Sequence, residues 1–161
     1  MTHEPRLSQG LRALLNEQRV AALGTLTPEG QPFVSMTPFA LLPAQAALIL
    51  HVSALAPHST YMQAQPQVSL MVMQTATPGA PVHDLARVSL IGHARTLISG
   101  EPDWAQARQS YLKRFPEAEP MTALGDFRFV RVNLSGARQV AGFGAARRLD
   151  AQALADILSV A

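Results

Sequence analysis

Residues 20–42 read VAALGTLTPEGQPFVSMTPFALL, and this stretch decides the fold class. Positions 20–26 are apolar and suited to a strand, while Thr27-Pro28-Glu29-Gly30 supplies the proline and glycine of a reverse turn. Residues 31–42 can then pair back as the second arm of a hairpin. Working outward, ALILHVS (47–53) and VSLMVMQ (68–74) read as further strands. The polar, proline-containing segment 54–65 between them has room for one or two helical turns. Residues 75–82 hold two prolines and a glycine and form a loop. Residues 87–97 alternate as a strand, with Gly92 marking a bulge or a close backbone approach. Residues 127–134 and 139–143 add two more strands.

Three segments change to the helical period. Leucines at 7, 11, 14 and 15 lie on one face of an opening helix, with Arg12, Asn16 and Glu17 left polar. Trp104, Ala107, Tyr111 and Leu112 repeat at three or four residues until Pro116 ends the pattern. Asp150 is placed to cap a last helix carrying Leu154, Ile157 and Leu158. Short strands joined by turns, with few crossover helices, favour an antiparallel barrel over a parallel sheet. The expected class is mainly β (α+β), as a single domain over 1–161.

A chain of 161 residues with 48% hydrophobic and 15% charged side chains must bury much of its surface, partly between subunits. The net charge of +2 comes without any run of Lys and Arg, so no nucleic-acid partner is expected. Cysteine is absent, which excludes disulfides, thiolate metal sites and a cysteine nucleophile. Any redox chemistry must come from a cofactor. Residues 1–10 lack the apolar core of a signal peptide, and no apolar run reaches the ~20 residues of a membrane span. The cytoplasm is therefore the expected location, with no membrane association. No G-x-G-x-x-G follows a strand, no phosphate-binding P-loop is present, and no G-x-S-x-G nucleophile elbow occurs. His3, His83 and His93 form no metal set with close carboxylates, and Trp104 and Tyr111 read as packing residues.

Four segments taken in order carry a family resemblance. They are VAALGTLTPEGQPFVSMTPFAL (20–41), HVSALAPHSTYMQAQPQVSLMV (51–72), ARVSLIGHARTL (86–97) and DFRFVRVNLSGARQVAGFGAA (126–146). Together the chain resembles the pyridoxamine-phosphate-oxidase-like flavin-binding split barrels, nearest the branch that includes haem-utilisation proteins. The resemblance implies a six-stranded antiparallel split β-barrel with flanking helices. It also implies a homodimer holding flavin mononucleotide (FMN), the small-molecule cofactor, in a groove between subunits.

That cofactor needs hydroxyl and cationic donors for its phosphate, backbone edges for the ring heteroatoms and an apolar wall. Ser35 and Thr37 share one strand face, which relatives turn toward the cofactor. His51, Val52 and Ser53 end the next strand and can present backbone or side chain to the ring. His58-Ser59-Thr60, just after Pro57, begins a helical turn whose N–H groups suit an anion, and His58 and Ser59 are the best phosphate candidates. Arg87 matches a position that faces the flavin in the family. Arg138 is a weaker candidate, and Gly142-Phe143-Gly144 reads as a tight backbone path. Tyr61 stands where relatives tend to carry Asn, and no Lys lies near His58 as in the oxidases, so the phosphate grip is weaker here.

The expected function is an FMN-binding protein, an oxidoreductase of unknown substrate, with no catalytic residue nameable. Pyridoxamine-phosphate oxidation is not expected, because residues 150–161 lack the basic residues that the true oxidases carry near the C-terminus. The alternative is haem binding or haem breakdown on the same fold. It needs an axial ligand, which relatives place near the C-terminus, whereas no histidine follows His93 here. A domain that has lost its cofactor and binds a partner is the third reading.

Overall fold

The computed structural model describes residues 5–160, so His3 lies outside the described residues. Helix α1 (Arg6–Glu17) leads into the hairpin β1 (Val20–Leu26) and β2 (Pro32–Pro38), followed by short β3 (Ala40–Leu42) and β4 (Ala47–Ser53). Helix α2 (Pro57–Ala64), β5 (Gln67–Met73) and β6 (Arg87–Thr96) come next. Helix α3 (Pro102–Arg114) and a 3₁₀ segment (Pro116–Ala123) precede β7 (Phe127–Val140), β8 (Ala146–Asp150) and α4 (Ala151–Leu158). The helices expected from periodicity are all present. Asp150 caps α4 by accepting the Ala153 backbone N–H at 2.8 Å.

One antiparallel sheet runs β2-β1-β5-β6-β7-β4-β3, with β8 also paired to β7. Its strand count is eight, not six. The arm expected as one strand over 31–42 breaks after Pro38. Its first part pairs with β1 and its second with β4, and the fully buried Phe39 sits at the switch. The two strands expected over 127–134 and 139–143 are instead one. β7 continues past Leu134 because Ser135 is absorbed as a bulge: Ile91 faces Gly136 and Gly92 faces Leu134. The Ser135 hydroxyl donates to the Ile91 carbonyl at 3.2 Å. After Gly142 and Gly144, both with positive φ, the chain returns as β8 along the second half of β7.

Gly92 is needed at the bulge. A Cβ there would run into the Asn133 carbonyl oxygen and lie 2.9 Å from Val132 Cγ1. Close approach and bulge are thus one feature.

β4 is buried at every position from Ala47 to Val52, which explains its unbroken apolar run. Leu48, Leu50 and Val52 join the barrel core with Leu23, Leu70, Val88 and Leu90, closed at the ends by Leu11 and Leu15 of α1 and Leu154 of α4. Ala47 and Ile49 belong to a second cluster under α3, with Tyr111, Phe115 and Phe129. Arg114 ties α3 to α1: its guanidinium donates to the Leu15 carbonyl at 3.1 Å, to that of Gln18, and stacks over Phe39. No helix among the described residues is long and apolar enough to cross a membrane.

Candidate functional site

The ends of the sheet order curl toward each other without pairing, and a cavity of about 380 Å³ opens where β2 meets β4. Its floor is made by residues 36–38 of β2 and 51–53 of β4, and Ala56 and His58 border it at the start of α2. Tyr111 and Phe115 of α3, Ala118 and Met121 of the 3₁₀ segment and Phe127 of β7 form an aromatic and aliphatic wall. The one charged liner is Glu117, whose carboxylate accepts from Arg19 at 2.9 Å.

Five of the eight expected site residues line this cavity directly: Thr37, His51, Val52, Ser53 and His58. Val52 offers it backbone, since its side chain joins the barrel core. The Thr37 hydroxyl donates to the Pro38 carbonyl at 3.0 Å. Ser53 Oγ accepts from the Leu55 N–H at 3.2 Å and so shapes the turn into α2. Ser35 lies one step behind the cavity, its Oγ 2.9 Å from His58 Nδ1. Ser59 is buried, and its hydroxyl donates to the Ser53 carbonyl at 2.5 Å. That bond ties α2 to β4 and occupies the hydroxyl expected to hold a phosphate.

Arg87 lies apart from the cavity. Its guanidinium donates to the Leu85 carbonyl at 2.9 Å and reaches that of His83 at 3.4 Å. On the same outer face, Arg138 is exposed and sits directly across from Arg148 of β8. His83 and His93 are exposed, in line with the scattered surface histidines expected.

The two cavity histidines differ. His51 is buried, with its ring centroid 4.5 Å from that of Phe129, 5.0 Å from Phe127 and 5.5 Å from Tyr111. Its Nδ1 is buried without a hydrogen-bond partner. Desolvation lowers its pKa to about 4, so the ring is neutral at ordinary pH. His58 is half-buried, and desolvation lowers its pKa as well. Burial pushes the Tyr111 hydroxyl up to about 12, which keeps it protonated.

The wall residues Tyr111, Phe115, Met121 and Phe127 were not among the expected site residues. Tyr111 does pack in a core cluster as the periodicity suggested, yet it also faces the cavity. Helical spacing marked the buried stripe of α3 but carried no signal of which sheet edge it would cover.

A profile of the pyridoxamine 5'-phosphate oxidase family matches residues 7–141. The chain belongs to that family. Among relatives of this family member, the haem oxygenase HutZ of Vibrio cholerae is 25% identical over 154 residues, covering 95% of this chain and 86% of that protein. The chloroplastic non-canonical haem oxygenase HOZ of Arabidopsis thaliana is 31% identical over 138 residues, or 84% of this chain and 40% of that one. A haem-binding protein from Mycobacterium smegmatis superposes with a TM-score of 0.84 at 26% identity, over 96% of this chain. The chain spans 62% of the length of that Mycobacterium structure.

Proposed function

We propose that this chain binds haem in the cavity between β2, β4 and α3, and that it serves haem breakdown. This replaces FMN as the leading reading. The observation that carries it is the cavity lining: neutral imidazoles and an aromatic wall, with no Lys or Arg among the lining residues. A dianionic phosphate in a partly dry groove needs charge-assisted donors. Here Ser59 is bonded to backbone, Ser35 and His58 are bonded to each other, and the charged liner is a carboxylate. Haem presents a broad apolar ring face that suits the aromatic and aliphatic wall with its imidazole donors, while its two propionates stay at the open, solvent-facing side of the cavity.

Bound haem would supply the iron and the oxygen chemistry, as ligand and substrate together. The chain's part is to seat the ring against Phe115, Phe127 and Met121, keep water from it and offer a neutral nitrogen donor. Breakdown, rather than binding alone, draws support from the two curated relatives, both named as haem oxygenases.

The reading includes a homodimer. Val20, Val34, Met36, Met71, Met73 and Ile91 are exposed on the outer face of β1, β2, β5 and β6, where β1 pairs Ala22 with both Met36 and Met71. Met36 is 64% exposed on this face and also lines the cavity. A second copy seated there would bury the apolar face and close the open side of the site.

Haemin titration into purified protein is expected to give a Soret band saturating at one haem per chain, with FMN showing no saturable binding. Saturable FMN binding without a Soret band overturns the reading. Adding ascorbate in air should bleach the band, and a band that persists would limit the protein to haem storage. Light scattering should return a dimer mass at micromolar concentration, and a monomer mass removes the shared site.

A further inference from the structure

The haem reading leaves one question that the chain's own residues answer, namely which atom holds the iron. Of the histidines among the described residues, His83 and His93 are exposed and do not line the cavity. His51 borders it too, but its Nδ1 is buried without a hydrogen-bond partner, so no second group orients its ring as Ser35 orients that of His58. The Tyr111 hydroxyl has no hydrogen-bond partner to orient it, and its ring packs with Phe115 and Phe129 in the cluster under α3.

His58 has a different posture. It lines the cavity at the first turn of α2, where the preceding Pro57 sets the start of the helix. One ring nitrogen, Nδ1, is held 2.9 Å from Ser35 Oγ on the neighbouring strand. The other, Nε2, makes no hydrogen bond. An imidazole of a cavity-lining side chain that is paired through one nitrogen to a neighbouring hydroxyl and leaves the other nitrogen unpaired has the arrangement of a metal-binding histidine with its orienting partner.

We propose that His58, through Nε2, is the axial ligand to haem iron in this chain, and that Ser35 Oγ accepts from Nδ1–H to fix the tautomer. The assignment rests on the haem reading above. Ser35 is then a positioning residue and His51 is part of the wall.

The test uses the full chain reconstituted with haemin, reading the Soret band and, in the ferrous form, the resonance Raman iron–histidine stretch. Wild type and His51→Phe should show the same stretch. His58→Ala and His58→Gln should both lose it and bind haemin at least about tenfold more weakly, with millimolar imidazole restoring a histidine-type spectrum. Ser35→Ala should keep the ligand but lower the stretching frequency, since the ring loses its acceptor. Circular dichroism confirms that each variant is folded, and the two His58 substitutions guard against a fold artefact in either. If the stretch survives in a folded His58 variant, the iron is held elsewhere and the assignment falls while the haem reading stands. If wild type gives no Soret band, the haem reading itself fails and takes the assignment with it.

Discussion

The two faces of β4 present opposite solutions to burial. On one, Leu48, Leu50 and Val52 meet aliphatic side chains from β1, β5 and β6, and the space is closed by α1 and α4. On the other, Ala47 and Ile49 give way to His51, aromatic rings surround it, and the space opens to solvent. The first face is built for stability. The second keeps a polar nitrogen dry and unpaired, an arrangement that costs folding free energy and is retained where a ligand or a site benefits.

The largest effect should come from breaking the closed face. Leu50→Ala removes a fully buried side chain from a region sealed on all sides, so little collapse can offset the cavity. It should cost about 2–5 kcal/mol of unfolding free energy in a urea titration. A loss below about 1 kcal/mol would mean that the barrel interior is looser than its burial indicates.

On the open face, His51 should make stability depend on pH. Its folded pKa, near 4, lies below the ordinary value of 6.5, so between these values the unfolded chain binds more protons. The contribution is whole above pH 6.5 and is lost as pH falls toward 4, up to about 3 kcal/mol over that window. Comparing melts at pH 7.5 and 4.5, His51→Phe should flatten the dependence by about that amount and cost little at pH 7.5. An unchanged pH slope in the variant would show that His51 is already protonated or solvated when folded.

The smallest effect should follow Tyr111→Phe. The ring walls the cavity, but no hydrogen bond holds its hydroxyl, so only burial of a phenol is altered. Stability should move by less than about 0.5 kcal/mol, and the Soret band of the haemin complex should not shift. A displaced band would place the hydroxyl in contact with the ligand.

Much of this contrast was legible in the sequence, and for local reasons. The hairpin at 20–38 follows from alternation and its turn residues, the α4 cap from Asp150, and the bulge from Gly92 inside an otherwise regular strand. His51, Ser53 and His58 were picked out through the family resemblance carried by residues 51–72, where a strand end and a helix start follow each other. The strand count was not legible. Whether 31–42 and 127–143 are one strand or two depends on which neighbours they pair with, and pairing partners lie far along the chain.

Residue types and their local spacing thus determined the antiparallel fold class and the helices, and the family resemblance pointed to a set of polar side chains. Tertiary structure alone decided how those side chains are used. It bonded Ser59 to the Ser53 carbonyl, set Ser35 against His58, left Arg87 on the outer face and brought Tyr111, Phe115 and Phe127 over His51. The physical reason is one of range. Turns, caps and periodicity act over a few residues, whereas the polarity of the cavity is the sum of contacts between β2, β4, α2 and α3, which meet only when the sheet curls.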